Sequence, residues 1–211
     1  MDLYPAIADE RRSVAALLDE LTPEQLATQS LCGNWTVRDV GAHLLMPLVT
    51  SMPKFGLAMV RSRMNFDRAS ELLTASVAQR SDAQIAAGLR DNADHRFTPP
   101  GLGPEAPLTD VIIHGQDIRR PLGIEHDIDP VRITTVLDFI TGPEATKGVI
   151  PKGRVAGLSF RATDLDWSAG SGPEITGPAE ALMMSIAGRP VALTELSGPG
   201  VPELARRITT V

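Results

Sequence analysis

The chain has a single cysteine, Cys32, among its 211 residues. One thiol excludes an internal disulfide, and so few cysteines are typical of a reducing compartment. The chain also lacks an apolar run of about eighteen residues, because its most apolar stretch, residues 40–49, is interrupted by His43 and Pro47. The first residues carry acidic side chains and no apolar core of a signal peptide. We therefore predict a cytoplasmic protein with no membrane span.

Basic charge is in deficit, with 20 Lys and Arg against 26 Asp and Glu and a formal net charge of -6. An acidic surface argues against nucleic-acid binding, which needs a basic footprint to neutralise phosphates. No phosphate-binding loop, no G-x-G-x-x-G and no G-x-S-x-G occurs in the sequence. Hydrophobic residues make up 43% and charged residues 22%, which is the mix of a globular protein that buries a core.

Apolar residues recur at helical spacing through most of the first 148 residues. Thr36 and Asp39 form a capping-box-like start of one helix, and Thr109 can cap another whose first residue is Asp110. Asp129 and the proline after it open a later helix. The predicted helical segments are 5–21, 23–28, 37–48, several within 54–92, 110–120 and 130–141.

The pattern changes after this region. Residues 154–168 alternate apolar and polar side chains and predict two short strands, and a turn then leads into a third strand. A helix follows over residues 179–187, and a last one over 202–208. We therefore predict a mainly α protein, with a helical bundle over residues 1–148 and a small α+β domain over residues 149–211.

Asp110 and His114 are the most informative pair in the sequence. On a helix, residues four apart lie on the same face, where a carboxylate and an imidazole can hold one metal ion. His43, in the middle of another predicted helix, is the candidate third ligand, and such a set leaves positions on the metal open. The same spacing also occurs in helices that bind no metal, so a structural role for these residues stays open.

Asp117 lies three residues after His114. It can orient that imidazole as an acceptor, or pair with Arg119 or Arg120 instead. Cys32 has no basic residue near it in the sequence, so we interpret it as a packed or idle thiol.

Arg189 directly follows the glycine that ends the penultimate helix. It is either a surface cation favoured by the helix dipole or an anion clamp that faces the bundle. The remaining histidines, His95 and His126, lie in polar segments and are predicted at the surface.

Two stretches of the sequence resemble motifs of the actinobacterial maleylpyruvate isomerase family, mycothiol-dependent enzymes with a DinB-like metal-binding bundle. Residues 33–44, GNWTVRDVGAHL, resemble the G-W-T-V-R-D-x-x-x-H-L signature. Residues 110–123 resemble the second metal motif, in which an acid precedes a His by four residues and an Asp follows before an Arg-Pro-Leu-Gly-like close. Residues 175–189 are similar to the small C-terminal domain of the family.

The resemblance implies a DinB-like four-helix bundle in which His43, Asp110 and His114 hold a divalent metal, with zinc expected. It also implies that an arginine of the C-terminal domain, matched here by Arg189, completes the active site. Mycothiol would be the thiol cosubstrate and a small electrophile the substrate, with the protein a monomer or a homodimer. The founding enzymes have a glutamate as the acid ligand, whereas this chain has the shorter aspartate.

The expected activity is therefore that of a metal- and thiol-dependent isomerase or S-transferase. Two other interpretations stay open at this point. One is a non-catalytic, metal-stabilised module that binds a small ligand. The other is a carrier that holds an apolar ligand in the small α+β domain.

Overall fold

The computed structural model describes residues 2–209, and these are mainly helical. Within this range lie ten α-helices and one three-stranded sheet, which confirms the predicted bundle followed by a small α+β part. None of the helices in this range is long and apolar enough to cross a membrane. The helices are α1 Tyr4–Glu20, α2 Pro23–Leu26, α3 Val37–Val49, α4 Met52–Arg61, α5 Phe66–Val77, α6 Asp82–Asp91, α7 Glu105–Arg119, α8 Pro130–Thr141, α9 Ala179–Ile186 and α10 Val201–Thr209; the strands are β1 Ser159–Ala162, β2 Ser168–Gly170 and β3 Glu174–Gly177.

The chain folds into two compact units. The first unit contains the residues up to Phe97 together with Asp110–Glu125, and the second contains Thr98–Thr109 together with the residues from His126 onward. The boundary expected after residue 148 therefore falls inside the second unit. The reason is that α8, which the helical periodicity assigned to the bundle, packs against α9 through its buried apolar face.

In the first unit, α1 packs on α6, and α3 packs on both α5 and α6. A close approach at Gly88 supports this packing, because a Cβ atom there would lie 2.8 Å from Leu45 of α3. The start of α3 is the predicted one: the Thr36 hydroxyl accepts a hydrogen bond from the Asp39 amide, and the Asp39 carboxylate accepts one from the Thr36 amide. This reciprocal cap fixes where the helix begins and hence where its side chains point.

Helix α7 begins at Glu105 and not at Asp110 as predicted. The prolines of this segment suggested a loop, but Pro107 lies in the first turn, where the missing amide costs no intrahelical hydrogen bond. Thr109 is consequently a buried residue inside the helix and not its cap. The end of α7 agrees with the prediction: a short 3-10 turn, Arg120–Leu122, leads to Gly123 in the left-handed region.

In the second unit, β1 lies at the centre of the sheet. It pairs antiparallel with β2 and parallel with β3, which gives the order β2-β1-β3. The two predicted strands of residues 154–168 begin later than expected, at Ser159 and Ser168. Helix α9 is buried at every residue except Glu180 and packs against α8 and the sheet, and Gly188 follows it at a φ of +94°.

Candidate metal centre

The structure brings the three predicted ligands together in the first unit. His43 lies on α3, and Asp110 and His114 lie one turn apart on α7. The Asp110 Oδ1 atom is 3.6 Å from the His43 Nε2 atom and 3.5 Å from the His114 Nε2 atom. Two helices that are distant in the sequence therefore direct two imidazole nitrogens at one carboxylate oxygen.

These separations suit a metal ion better than direct hydrogen bonds. An N–H···O hydrogen bond is typically about 2.9 Å long, shorter than either distance. Ligand bonds to zinc of about 2.0–2.2 Å place the corners of a tetrahedron about 3.4 Å apart. The observed 3.5 and 3.6 Å lie close to that edge. Two imidazole nitrogens and one carboxylate oxygen are also a donor set that suits divalent transition metals.

A buried carboxylate orients one of these ligands. The His114 Nδ1 atom lies 2.9 Å from the Asp117 Oδ2 atom, and the Asp117 side chain is fully buried. The sequence left two roles open for Asp117, and the structure shows the contact with which it would orient the His114 imidazole. With Nδ1 engaged by the carboxylate, Nε2 is the atom directed at Asp110. The other histidine is held less closely, since the His43 Nδ1 atom and the Thr74 Oγ1 atom are 3.4 Å apart.

The loop before α3 adds two further side chains to the cluster. The Trp35 ring lies 4.7 Å from the His43 ring and 6.5 Å from the His114 ring, between centroids. The Cys32 sulfur lies within 4.8 Å of donor atoms of His114 and Asp117. Helix α7 therefore supplies Cys32 with a histidine neighbour that is distant in the sequence, while its role as a packed or idle thiol stays a prediction.

The charges of the cluster compensate one another. Burial by itself raises the pKa of Asp110, but the polar contact and charge of the neighbouring His43 and the charges of His114 and Arg11 lower it to about 2. Burial also lowers the pKa of His114, yet its hydrogen bonds with Asp117 and Cys32 and the nearby carboxylates raise it to about 10. Without a metal, the carboxylate is ionised and His114 holds a proton, which an incoming ion must displace.

The other predicted candidates are Arg189, His95 and His126. Arg189 belongs to the second unit, where it is half-buried and donates a hydrogen bond from Nη1 to the Ala187 carbonyl at 2.6 Å. His95 is exposed, as predicted. His126 is half-buried, which corrects its assignment to the surface. It lines a cavity of about 170 Å³ together with Asp164 and Glu180.

Comparisons with known proteins agree with this architecture. The family model of the mycothiol maleylpyruvate isomerase N-terminal domain matches residues 7–96. A solved structure, described as the crystal structure of the mycothiol-dependent maleylpyruvate isomerase, matches with a TM-score of 0.53 at 15% identity, over 94% of this chain and 96% of that chain. At this identity the likeness establishes the fold. No curated protein sequence matches the chain. Residues 7–96 therefore match the mycothiol maleylpyruvate isomerase N-terminal domain family model, which confirms the resemblance that the sequence motifs indicate.

Proposed function

We propose that this protein is a metal- and mycothiol-dependent isomerase or S-transferase that acts on a small electrophile. The observation that carries the proposal is the convergence of His43, Asp110 and His114, with both Nε2 atoms about equally far from one carboxylate oxygen. The family of residues 7–96 supports mycothiol as the thiol. We propose zinc as the metal, although nickel, iron and manganese suit the same donors.

A metal with open positions lowers the pKa of a thiol near it, which is otherwise about 8.5 and leaves most of the thiol protonated at neutral pH. The residues of the chain prepare the site for that thiol. Asp117 holds the His114 ring in one orientation, and the Trp35 ring flanks both imidazoles. An indole at this place offers an apolar wall that excludes water from one side of the cluster.

The reaction that we propose is a reversible addition. The thiolate adds to a cis double bond that is conjugated to a carbonyl, and the adduct then has a single bond that can rotate. Expulsion of the same thiolate after rotation gives the trans product, so no atom is gained or lost. In this scheme Arg189 binds a carboxylate of the substrate or the enolate-like charge that develops on addition. If the electrophile carried a leaving group, the thiolate would displace it, and the same site would then catalyse transfer of the thiol.

The direct test measures metal and turnover on the same samples. Protein purified without an affinity tag is expected to contain one equivalent of a divalent metal by elemental analysis, and to isomerise maleylpyruvate only when mycothiol is added. Asp110→Ala is expected to lose both properties. Asp91→Ala, which removes an exposed aspartate of the same unit, is the matched control and should keep both. Full turnover of the Asp110→Ala variant would contradict the proposal.

The same experiment separates the catalytic proposal from a binding module. A non-catalytic, metal-stabilised module would hold the metal and gain thermal stability from it, but would show no mycothiol-dependent turnover with any electrophile. Mycothiol itself should raise the midpoint of unfolding of the metal-loaded protein if it binds the site. Metal binding without any effect of mycothiol would therefore favour the module.

A further inference from the structure

Arg154, in the second unit, is a buried cation whose hydrogen bonds are incomplete. The residue is only 5% exposed, and its Nε and Nη1 atoms are buried without a hydrogen-bond partner among the described residues. Buried guanidinium groups are normally paired, since a charge that has lost its water needs acceptors in exchange. The structure supplies none to these two atoms.

The charged group that acts on Arg154 has the same sign. Burial and the positive charge of Arg189 both lower the pKa of Arg154. The Arg154 guanidinium also lies against Gly188, the residue before Arg189, because a Cβ atom built on Gly188 would be 2.9 Å from the Arg154 Nη1 atom. The Arg154 guanidinium thus lies near the end of α9, where Arg189 follows the helix, and Gly188 leaves the space that Arg154 occupies.

The backbone that carries Arg154 is fixed by a third arginine. The Arg207 Nη1 atom donates hydrogen bonds to the carbonyls of Gly153, Arg154 and Ala156 at 2.8, 3.0 and 2.8 Å. Arg207 Nε is itself bonded to the Glu203 carboxylate at 2.7 Å. The turn from which the Arg154 side chain extends is therefore a built part of the second unit and not a free loop.

We propose that Arg154 and Arg189 together bind a carboxylate of a small molecule. Such a group would supply the acceptors that Arg154 lacks and would offset the repulsion between the two cations, and guanidinium donors match carboxylate oxygens in geometry. The negative end of α9 alone does not explain the arrangement, because Arg189 binds the Ala187 carbonyl while the Nε atom of Arg154 has no acceptor. The identity of the carboxylate as that of the electrophilic substrate rests on the proposed function, whereas the anion site does not.

The test compares two variants that each remove one arginine of the second unit. Arg154→Met removes the buried guanidinium, and Arg161→Met removes an exposed one that is paired with Glu174. Maleate is titrated into the metal-loaded protein at constant ionic strength by calorimetry, with the Arg154 Nε–H resonance followed by NMR. We expect maleate to shift this resonance in the unaltered protein, Arg154→Met to weaken maleate binding at least about tenfold, and Arg161→Met to leave it unchanged.

Thermal unfolding in a buffer without oxyanions gives a second readout that does not depend on binding. Because Arg154→Met removes an unpartnered buried cation, its unfolding midpoint is expected to equal or exceed that of the unaltered protein. A lower midpoint together with an unchanged affinity for maleate would identify Arg154 as a structural residue and overturn the proposal. Equal affinity for inorganic phosphate and maleate would overturn the assignment to a carboxylate.

The Asp110→Ala variant keeps this inference separate from the proposed function. If the proposed function is wrong, metal or turnover will be missing while maleate binding still depends on Arg154. If the present inference is wrong, maleate binding will not respond to Arg154→Met, whatever the metal content and turnover of the protein are.

Discussion

The two units each gather charged side chains, but in opposite ways. In the first unit the carboxylates of Asp110 and Asp117 face the imidazoles of His43 and His114, so the cluster is compensated before any ligand binds. In the second unit Arg154 lies in the field of another cation, Arg189, and two of its buried donors have no hydrogen-bond partner among the described residues. Each unsatisfied buried donor costs roughly 1–3 kcal/mol of stability. The contrast indicates two kinds of site. A metal ion that binds the first unit must displace a proton from His114, whereas an anion that binds the second unit would relieve the repulsion between Arg154 and Arg189.

Removing an imidazole from the compensated cluster is expected to have the largest effect. His114→Asn deletes one of the three metal donors, and we expect the dissociation constant for zinc to rise by more than about 100-fold, beyond the range for residues that only support a ligand. Zinc titration of the apoprotein by calorimetry measures this change. His95→Asn, which alters an exposed histidine of the same unit, is the control and should bind zinc normally. Tight zinc binding by His114→Asn would refute the ligand set.

A smaller loss is expected when the support of that imidazole is weakened. Asp117→Asn keeps the size of the side chain but removes the charge that fixes the His114 ring through its Nδ1 atom. Changes of this kind typically lower metal affinity about 10–100-fold. The stoichiometry should stay at one zinc per chain, which distinguishes a positioning residue from a ligand. An unchanged affinity would show that α7 alone orients the ring.

A substitution at Gly188 tests the packing of the Arg154 side chain in the second unit. Gly188→Ala places a methyl group where the Arg154 guanidinium is, at a φ of +94°. We expect a loss of about 1–3 kcal/mol in the free energy of unfolding, from backbone strain and the displaced arginine. Gly157→Ala, also at positive φ but with open space around the Cβ position, isolates the backbone contribution. Maleate binding should weaken in Gly188→Ala and not in Gly157→Ala. Equal affinities for maleate in the two variants would contradict the contact between Gly188 and Arg154.

Much of the first unit could be predicted from local sequence. The Thr36–Asp39 cap follows from neighbouring residues, and it fixes the register that places His43 within α3. The pairing of Asp110 with His114 follows from helical spacing, although the spacing alone left a metal-free role open. The place of His43 in the middle of another helix made it the candidate third ligand, and the motif resemblance strengthened this choice, because nothing local to either helix encodes their contact.

The errors also have physical causes. The start of α7 was placed too late since Pro107 indicates a loop, while the first turn of a helix tolerates proline. Cys32 was interpreted as a packed or idle thiol because its histidine neighbour lies far along the chain. Arg154 attracted no attention, since its burial and its proximity to Arg189 depend on the fold of the second unit and on the turn that Arg207 holds. Contacts between distant segments carry these features, and periodicity does not report them.

The smallest expected effect concerns the ion pairs of Glu203 with Arg206 and Arg207, since Arg207 also binds the turn that carries Arg154. Hydrogen bonds from Arg206 and Arg207 lower the pKa of Glu203 from 4.5 to about 2. A carboxyl group whose pKa is lower in the folded protein stabilises it above the unfolded value, so this contribution is complete above about pH 4.5 and is lost as the pH falls towards 2. The unfolding midpoint of Glu203→Gln should therefore lie slightly below that of the unaltered protein near neutrality, and the gap should close in acid. A gap that stays constant over this pH range would mean that the charge of Glu203 does not support the turn of Arg154.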